Sequence, residues 1–529
     1  MFWADAITEE ILKARLEAAK GRPLVIRDEK TASGRVHIGS MRGVAVHGLI
    51  AEVLAERNVP HRFIYEFNDF DPMDGLPVYL DEAVYRPHMG KPLFKVPSPN
   101  PPFENYAECF AKEFEKVITD TGFYPEFTRT SELYLSGKMN EVIRTALLRA
   151  DDIRRIYQEV SGSEKSPTWL PLSIICEKCG KIGTTKVSSF DGEKVHYVCE
   201  PKLVEWAEGC RYEGDISPFN GNAKLPWKVD WAAKFKVLGV QVEGSGKDHF
   251  TKGGARDVAD RISREVFNYE PPFDIHYEFF LVGGKKMSSS KGRGASAREI
   301  ADIVPPEILR LALIGKEPKQ AIEFDPDGDT VPALFDHLDA LSQHYFDGLR
   351  DDYHRLFHFA HPVTPEGKRA IVHAFPPRFS QVAFIVQMPH LNLFEEVERL
   401  KKSALTEDDK AEAERRARVA RAWLAAYAPE DFKFEIQKEI PEKARRLSAE
   451  QKTALAELLR YIEITKEFNG QELHHKLHEI RKESGIDAKV FFSALYLAFL
   501  GKDHGPKAGW FLSVLEREFL LNRLREASA

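Results

Sequence analysis

The sequence predicts an α/β fold followed by an all-α half, and three features of the chain lead to this class. An apolar strand-like run at 23–26 precedes a glycine-containing loop, a helical pattern and a second strand-like run at 62–67. From about residue 305 onward, helical periodicity dominates and strand signals are scarce. The 529 residues are too many for one hydrophobic core, so about two to four domains are expected.

The composition is that of a soluble globular protein, with 43% hydrophobic and 30% charged residues. A net charge of −7 argues against a uniformly basic nucleic-acid coat, although a local basic stripe would be enough to bind RNA. The chain contains no run of about 18 uncharged apolar residues, so no membrane span is expected. The first 22 residues lack the features of a secretory signal, and we expect a cytoplasmic protein.

Periodicity also predicts individual elements. In the first half we expect helices over 106–121, 138–160 and 256–266, a short helix or strand over 234–242, and a strand over 275–282. In the second half the predicted helices are 305–315, 331–349, 364–374, 377–387, 391–402, 406–426, 447–467, 470–483, 487–500 and 508–526.

The loop Thr31–Ser40 follows the first strand and opens the first long helical pattern. In open α/β sheets, ligands bind at this end of a strand, and the free N–H groups of a helix start suit phosphate. Gly34 permits a sharp turn, Gly39 lets a flat ring approach the backbone, and His37 can donate a hydrogen bond to phosphate. Taken alone, the loop also fits an ordinary turn with a surface histidine.

A second loop follows the predicted strand over 275–282. The run Lys286–Lys291 places two lysines and three serine hydroxyls between glycines, a combination that can wrap a polyphosphate. By itself it is equally consistent with a solvated polar loop.

Together, the two loops resemble the paired motifs of class I aminoacyl-tRNA synthetases. The resemblance implies that His37 and Gly39 hold ATP, while Lys286 and its loop clamp the pyrophosphate. It assigns catalytic roles to His37, Gly39, Lys286, Ser288, Ser290 and Lys291, and nucleotide-binding roles to Ser33, Gly34, Ile38, Ser40, Met287 and Ser289. Ser40 and Ser289 depart from the usual motif residues, and Arg35, Lys285 or Lys291 are the candidates to replace the missing groups.

Within this class, the sequence looks most like the lysyl group. The pattern over 31–39, with Ala32 in place of the usual proline, resembles that of class I lysyl-tRNA synthetases and their glutamyl and glutaminyl relatives. The segments 229–231 and 246–254 resemble the lysyl group most closely. The resemblance implies that lysine, ATP, Mg²⁺ and tRNA(Lys) are the reactants and partners, with a Rossmann-like, HUP-type catalytic domain and an α-helical anticodon-binding domain.

A lysine side chain needs an apolar wall for its methylenes and an anion or aromatic face for its ammonium group. Trp231 is the candidate wall or cation–π face, and Asp28, Glu66, Tyr65 and Asp248 are the other candidates to meet the side chain. His249 is the candidate to meet the lysine carboxylate or the ribose. Two alternatives remain open. A glutamate-activating enzyme would need a cation, for which Arg27 is the candidate, and the departures at Ser40 and Ser289 fit a non-catalytic RNA-binding relative.

Four of the five cysteines lie within a 35-residue window, at Cys176, Cys179, Cys199 and Cys210. In a reducing compartment such clustering indicates a structural zinc site, with His196 as a possible substitute ligand. The alternative is a set of buried free thiols. Lysines around the window would bring positive charge close to a tRNA acceptor stem.

These observations divide the chain into four parts. We expect a catalytic domain from 1–67 and 226–300, interrupted by an acceptor-stem-facing insertion at 68–225 with a zinc subdomain at about 168–215. A helical stem-contact region at 301–390 and the anticodon-binding domain at 391–529 follow. A monomer is expected, although the sequence carries no direct indication of oligomeric state.

Overall fold

A computed structural model of the protein describes residues 1–283, 296–388 and 390–529. The predictions made for Lys285, Lys286, Met287, Ser288, Ser289, Ser290 and Lys291 therefore lie outside the described residues. The chain forms two compact units. Unit 1 comprises Met1–Phe324 and Ala340–Ile371, and unit 2 comprises Asp325–Asp339 and Val372–Ala529.

Unit 1 is built on a parallel sheet. Strands β1 (Leu24–Thr31), β2 (His61–Asn68) and β3 (Glu126–Arg129) lie in the order β1-β2-β3. On the other side of β1, parallel bridges join Ile26 to Val242 and Val242 to Phe273. The chain thus adds strands first on one side of β1 and then on the other, which makes the carboxyl end of β1 a topological switch point.

Two helices frame the first strand. Helix α1 (Trp3–Ala19) precedes β1, and α2 (Met41–Glu56) follows it after a 3-10 turn at Ile38–Ser40. The stretch 38–56 is long and apolar enough to cross a membrane by length and composition, but 78% of it is buried inside the protein. A core helix of a folded domain passes the same test, and α2 packs on the sheet in this way.

The rest of unit 1 alternates short helices and short strands. Its helices are α3 (Glu82–Tyr85), α4 (Tyr106–Asp120), α5 (Thr130–Leu135), α6 (Asn140–Leu148), α7 (Ala150–Ser161), α8 (Trp227–Leu238), α9 (Ala255–Glu265), α10 (Ala297–Ala301), α11 (Pro306–Ile314) and α13 (Asp352–Ala360), with α12 (Thr330–Phe346) crossing into it from unit 2. Its further strands are β4 (Ser173–Ile174), β5 (Thr185–Phe190), β6 (Val195–Cys199), β7 (Glu213–Ile216), β8 (Ala223–Lys224), β9 (Ser245–Gly246), β10 (His276–Tyr277), β11 (Phe280–Val282) and β12 (Ile322–Phe324).

Three predicted elements of unit 1 differ from the structure. The helix expected over 138–160 breaks at Arg149, whose backbone (φ −106°, ψ 24°) leaves the helical region and divides it into α6 and α7. The strand expected over 275–282 is divided into β10 and β11, which pair with different neighbours. The helix predicted over 364–374 is a turn, because Gly367 takes φ +78° and the Thr364 N–H bonds to the Lys368 carbonyl at 2.7 Å.

Unit 2 is helical. Its elements are α14 (Phe379–Ile385), α15 (Leu393–Lys401), α16 (Glu407–Ala426), α17 (Ala449–Ile464), α18 (Gly470–Glu483), α19 (Ala488–Leu500), α20 (Ala508–Ser513) and α21 (Arg517–Ser528). The predicted helix 508–526 is therefore two helices. Thr406, Ser448 and Asn469 each start a helix through a capping box, which explains why the periodic pattern located α16, α17 and α18 well.

The α/β class followed by an all-α half is confirmed. The sheet of unit 1 has the parallel order expected of a Rossmann-like domain, and unit 2 consists of helices among its described residues. This architecture brings the loop after β1 to the switch point, where a ligand cavity is expected.

Candidate active site

The loop after β1 is held in place by aromatic side chains. The Tyr106 hydroxyl donates to the Ser33 carbonyl at 2.9 Å, and the Arg35 N–H donates to the Tyr79 hydroxyl at 2.6 Å. The Arg35 guanidinium lies 5.0 Å from the Tyr79 ring centre and 3.9 Å from Glu299. Arg35 lines neither of the two cavities described below.

A cavity of about 250 Å³ opens at the start of α2. His37, Gly39 and Ser40 line it from one side, and Asp248 and His249 line it from the other. A Cβ on Gly39 would lie 3.0 Å from His37 Nδ1 and 3.1 Å from the Phe280 carbonyl, so the backbone of Gly39 is exposed to the cavity only because the side chain is absent. We refer to it as the first cavity.

Two residues of the same loop occupy other positions. Ile38 is fully buried in the core and Gly34 is buried, and neither lines a cavity among the described residues. Ser33 lines the neighbouring cavity rather than the first one. Of the predicted nucleotide-binding residues on this loop, Ser40 is thus the one that lines the first cavity.

The second cavity, of about 370 Å³, adjoins the first and shares part of its wall. The residues common to both are Asp28, Glu29, Lys30, Gly246, His249 and Tyr277. Trp231, from α8, supplies an apolar wall to the second cavity and is 8% exposed. Its indole N–H donates to the Glu243 carboxylate, and its ring stacks on Trp227 with the ring centres 6.0 Å apart.

A buried ionic network lies behind the second cavity. Lys234 is fully buried, and its ammonium lies 2.7 Å from Glu66, 3.1 Å from Asp230 and 3.3 Å from Glu29. Lys224 extends the network, 2.9 Å from Asp71 and 3.3 Å from Asp230.

Arg27 is the third cation of this network. Its guanidinium is fully buried and contacts Glu66 at 2.7 Å, Glu243 at 2.9 Å, and Glu29. The burial of Glu29 would by itself raise its pKa, but the Lys234 and Arg27 charges hold it at about 2. Arg27 is therefore paired with acidic partners and does not line the second cavity, so its position does not favour the glutamate-binding role considered for it.

Asp28, which lines both cavities, packs against Gly43 of α2. A Cβ on Gly43 would lie 2.6 Å from Asp28 Oδ2 and 2.8 Å from the Tyr277 hydroxyl, so both polar groups converge on the space that the glycine leaves. His47, also fully buried, hydrogen-bonds the Gly43 carbonyl through Nδ1 at 2.8 Å and accepts the Gly244 N–H at Nε2 at 2.7 Å. Accepting this N–H at Nε2 fits a neutral imidazole with the proton on Nδ1. Burial lowers the pKa of His47, but the Asp28 carboxylate, 3.6 Å from Nδ1, outweighs burial and raises it.

The sequence reasoning missed several residues of this site, among them Glu29, Gly43, Lys234, Glu243 and Tyr277. Their chemistry is visible only when distant segments meet, since Lys234 and Glu29 are separated by 205 positions. Of the predicted polar groups, Glu66 is buried behind the network, and Tyr65 lines the first cavity.

The four clustered cysteines come together in the insertion. Their sulfur atoms all lie within 4.8 Å of one another, with Cys176–Cys210 at 3.6 Å and Cys179–Cys199 at 3.7 Å. A tetrahedral zinc ion with four thiolates at about 2.3 Å would place sulfurs about 3.8 Å apart, so the donor set fits zinc.

His196 takes no part in the cysteine cluster. Its ring lies 3.0 Å from Asp215 and 3.0 Å from Glu213, on the neighbouring strand β7. The substitute-ligand role considered for it is therefore not supported by its position.

Sequence comparisons place the whole chain among known proteins. A family described as tRNA synthetases class I (K) matches residues 1–362, and one described as an anticodon binding domain matches residues 393–528. The lysine–tRNA ligase of Methanosarcina barkeri is 35% identical over 545 residues, covering 99% of this chain and 97% of that protein. Lysine–tRNA ligase 1 of Methanosarcina acetivorans is 36% identical over 551 residues, covering 100% and 98%.

A third relative agrees with these. The lysine–tRNA ligase of Archaeoglobus fulgidus is 33% identical over 534 residues and covers 100% of both chains. The family match spans the cavities of unit 1 as well as the cysteine cluster. With relatives of this identity along its whole length, the chain belongs to the class I (K) tRNA synthetases and is an aminoacyl-tRNA synthetase.

Proposed function

We propose that this enzyme is a lysine–tRNA ligase that binds the lysine side chain in the second cavity and ATP in the first. The observation that carries the proposal is the charge of the second cavity. Its described wall holds five carboxylates, Asp28, Glu29, Asp71, Asp230 and Glu243, against one ammonium, Lys30. Four of these five carboxylates belong to the buried network, which adds Glu66 and the cations Arg27, Lys224 and Lys234, so carboxylates exceed cations by six to four in the wall and network together.

Such a cavity favours a cationic substrate. Carboxylates at close range stabilise an ammonium group and repel the carboxylate of glutamate. Within the cavity we assign the ammonium to the space between Asp28 and Tyr277, with Trp231 covering the methylenes. His249, which lines both cavities, and Asp248, which lines the first, are proposed to meet the α-amino and carboxylate end of lysine.

The first cavity is proposed to hold the nucleotide. His37 and Gly39 would contact the phosphates and the adenine, and Lys286 with its loop to Lys291 would close over the pyrophosphate. Mg²⁺ prefers oxygen ligands, which the ATP phosphates would supply. The ion would neutralise phosphate charge; the chain itself positions the reactants.

The reaction then proceeds in two steps. A lysine carboxylate oxygen bonds to the α-phosphorus of ATP, the bond from that phosphorus to the bridging oxygen breaks, and pyrophosphate leaves with the electron pair. A ribose hydroxyl at the tRNA 3′ end next attacks the carbonyl carbon of lysyl-adenylate. The carbonyl carbon–oxygen bond to the phosphate breaks, AMP leaves with the electron pair, and the hydroxyl proton passes to the departing AMP phosphate or to solvent.

The remaining parts are proposed to bind tRNA(Lys). The insertion at 68–225 would face the acceptor stem, pinned by a structural zinc ion on the four cysteines. The region at 301–390 would contact the stem, and helices of 391–529 would hold the anticodon, where unpaired bases stack on aromatic side chains. We expect the enzyme to work in the cytoplasm as a monomer.

Pyrophosphate exchange with each of the twenty amino acids tests the proposal. We expect exchange that depends on lysine and is negligible with glutamate. Asp28→Asn should raise the KM for lysine at least about tenfold, because a charged hydrogen bond to the ammonium is lost. Glu278→Gln, on the first cavity only, serves as the matched control and should leave the lysine KM within about twofold.

Two results would contradict the proposal. Exchange with a different amino acid would overturn the choice of lysine. Absence of exchange with any amino acid, together with retained tRNA binding, would favour a non-catalytic RNA-binding relative.

A further inference from the structure

Two histidines of α18 in unit 2 lie side by side, one helical turn apart. The ring centres of His474 and His478 are 4.6 Å apart, and the ring planes are inclined by 82°. Side chains four positions apart share one face of a helix, and the same spacing presents the two histidines of the His-Glu-x-x-His zinc motif. His475, which follows His474 directly, is exposed, and its ring centre lies 6.3 Å from that of His474.

The distance between the two rings suits one shared metal ion. Imidazole nitrogens bind zinc at about 2.0–2.1 Å, which puts each ring centre about 3.2 Å from the ion. Two such rings at a coordination angle of about 90–110° have their centres about 4.5–5.2 Å apart. The observed 4.6 Å lies within this range, so the pair is spaced for an ion bound by both rings.

The surroundings of the pair also favour a bound ion. Nδ1 of His474 is buried and has no hydrogen-bond partner among the residues that the structure describes, and a buried polar atom of this kind indicates a ligand such as an ion. The His474 ring contacts Trp510 with the ring centres 5.4 Å apart, and the His478 ring contacts Phe492 at 5.3 Å. Because these aromatic contacts already restrict both imidazoles, binding an ion costs them little further conformational entropy.

We propose that His474 and His478 together bind one divalent transition-metal ion, of the class to which Zn²⁺ and Ni²⁺ belong, with water completing the coordination shell. Neutral imidazole is a preferred ligand of these ions. Trp510, which contacts His474, also lines the cavity of about 460 Å³ in unit 2. An ion that fixes the His474 ring therefore also stiffens this wall of the cavity.

Nickel binding to the full chain, with its cysteine cluster loaded with zinc beforehand, tests the site. Calorimetric titration should show one Ni²⁺ ion bound with a Kd of about 1–100 µM, since two ligands supply about half of the binding free energy of a four-ligand zinc site. His478→Ala should raise this Kd at least about tenfold, because one of the two ligands is lost.

The matched control is His475→Ala, which removes an exposed imidazole one position from the pair. The Kd for Ni²⁺ should stay within about twofold of the wild-type value. Equal losses in His475→Ala and His478→Ala, or unchanged binding in His478→Ala, would overturn the proposal. Binding seen only above about 1 mM would show adventitious association and would overturn it as well.

The fluorescence of Trp510 locates the ion by a second measurement. Ni²⁺ quenches a nearby indole, so an ion on the His474 ring should quench Trp510 with the Kd found by calorimetry. Trp510→Phe should abolish this part of the quenching and still bind Ni²⁺. His474→Phe keeps an aromatic side chain against Trp510, so unit 2 should stay folded while both the quenching and the calorimetric binding are lost. Quenching that persists in His474→Phe would place the ion elsewhere and overturn the proposal.

Discussion

Two buried arginines, one in each unit, show how differently the molecule uses internal charge. Arg27 of unit 1 contacts three carboxylates, and two of them, Glu29 and Glu243, also line the second cavity. Arg416 of unit 2 is 2% exposed and contacts Asp339 and Glu412, neither of which lines the cavity of about 460 Å³ in that unit.

The two networks differ in whether their charges only stabilise the fold or also face a substrate cavity. A buried ion pair that only joins helices could be replaced by apolar residues of similar volume at little cost. A buried network whose outer members face a substrate cavity cannot, because it also fixes the charge that the substrate meets. Removing one charge from each network should therefore give similar losses in stability and very different losses in activity.

The largest effect is expected at Lys234. Lys234→Met leaves Glu29, Glu66 and Asp230 with one cation fewer, and we expect a loss of about 3–5 kcal/mol in the free energy of unfolding. Lysine-dependent exchange should fall by about a thousandfold, because the cavity wall loses its fixed geometry. Chemical denaturation and exchange rates measure the two effects.

The matched control lies two positions along α8. Lys236 forms an ion pair with Glu141 that is largely exposed, so Lys236→Met should change both quantities little. Comparable effects from the two substitutions would show that the network has no special role.

Arg416→Met tests the other side of the contrast. It leaves the partly buried Asp339 without its cation, while Glu412 keeps Arg415, and unit 2 should lose about 3 kcal/mol of stability. Lysine-dependent exchange measured well below the unfolding transition should remain within about twofold. A large loss of exchange in the folded variant would contradict the division between the two networks.

Gly43→Ala sharpens the account of the cavity wall. The added methyl would lie within 3.0 Å of Asp28 and of Tyr277, so one of them must move. We expect the KM for lysine to rise about tenfold to a hundredfold, with a smaller change in the KM for ATP. An unchanged lysine KM would show that Asp28 and Tyr277 do not hold the ammonium from this position.

His47 is expected to give the smallest effect. His47→Gln can still accept the Gly244 N–H, and its lysine KM should stay within about threefold of the wild-type value. His47→Asn is too short to reach Gly244, and the unpaired buried N–H should raise the lysine KM about tenfold. The two variants have similar chemistry, so equal KM values would show that the hydrogen bond to Gly244 does not position the site.

The features that the sequence predicted well depend on residues that are close together in the chain. The loop of His37 and Gly39 follows an apolar strand directly, and the cysteines fall within a short window. The main helices of unit 2 begin at recognisable caps such as Ser448. The turn at 364–368 could also have been found, because Pro365 and Gly367 interrupt the helical pattern there.

The ionic network could not be predicted in the same way. Arg27 was considered as a cation for a glutamate substrate because it lies beside the first motif. Its partner Glu243 lies 216 positions away in the chain, so nothing near Arg27 in the sequence indicates the pairing. A charged residue in a strand is consistent with many pairings, and only the packed sheet decides among them. The convergence on Gly43 likewise depends on β1, α2 and β10 meeting at one point.

The interlocked charges behind the second cavity also constrain how this enzyme can evolve. Lys234 forms ion pairs with three carboxylates, and two of these, Glu29 and Glu66, also pair with Arg27. A single substitution that reverses one of these charges leaves an unpaired charge in the interior. A lineage acquiring another amino-acid preference would therefore have to pass through a poorly folding ancestor or change two positions together. Directed-evolution libraries aimed at this wall should therefore be built from paired substitutions.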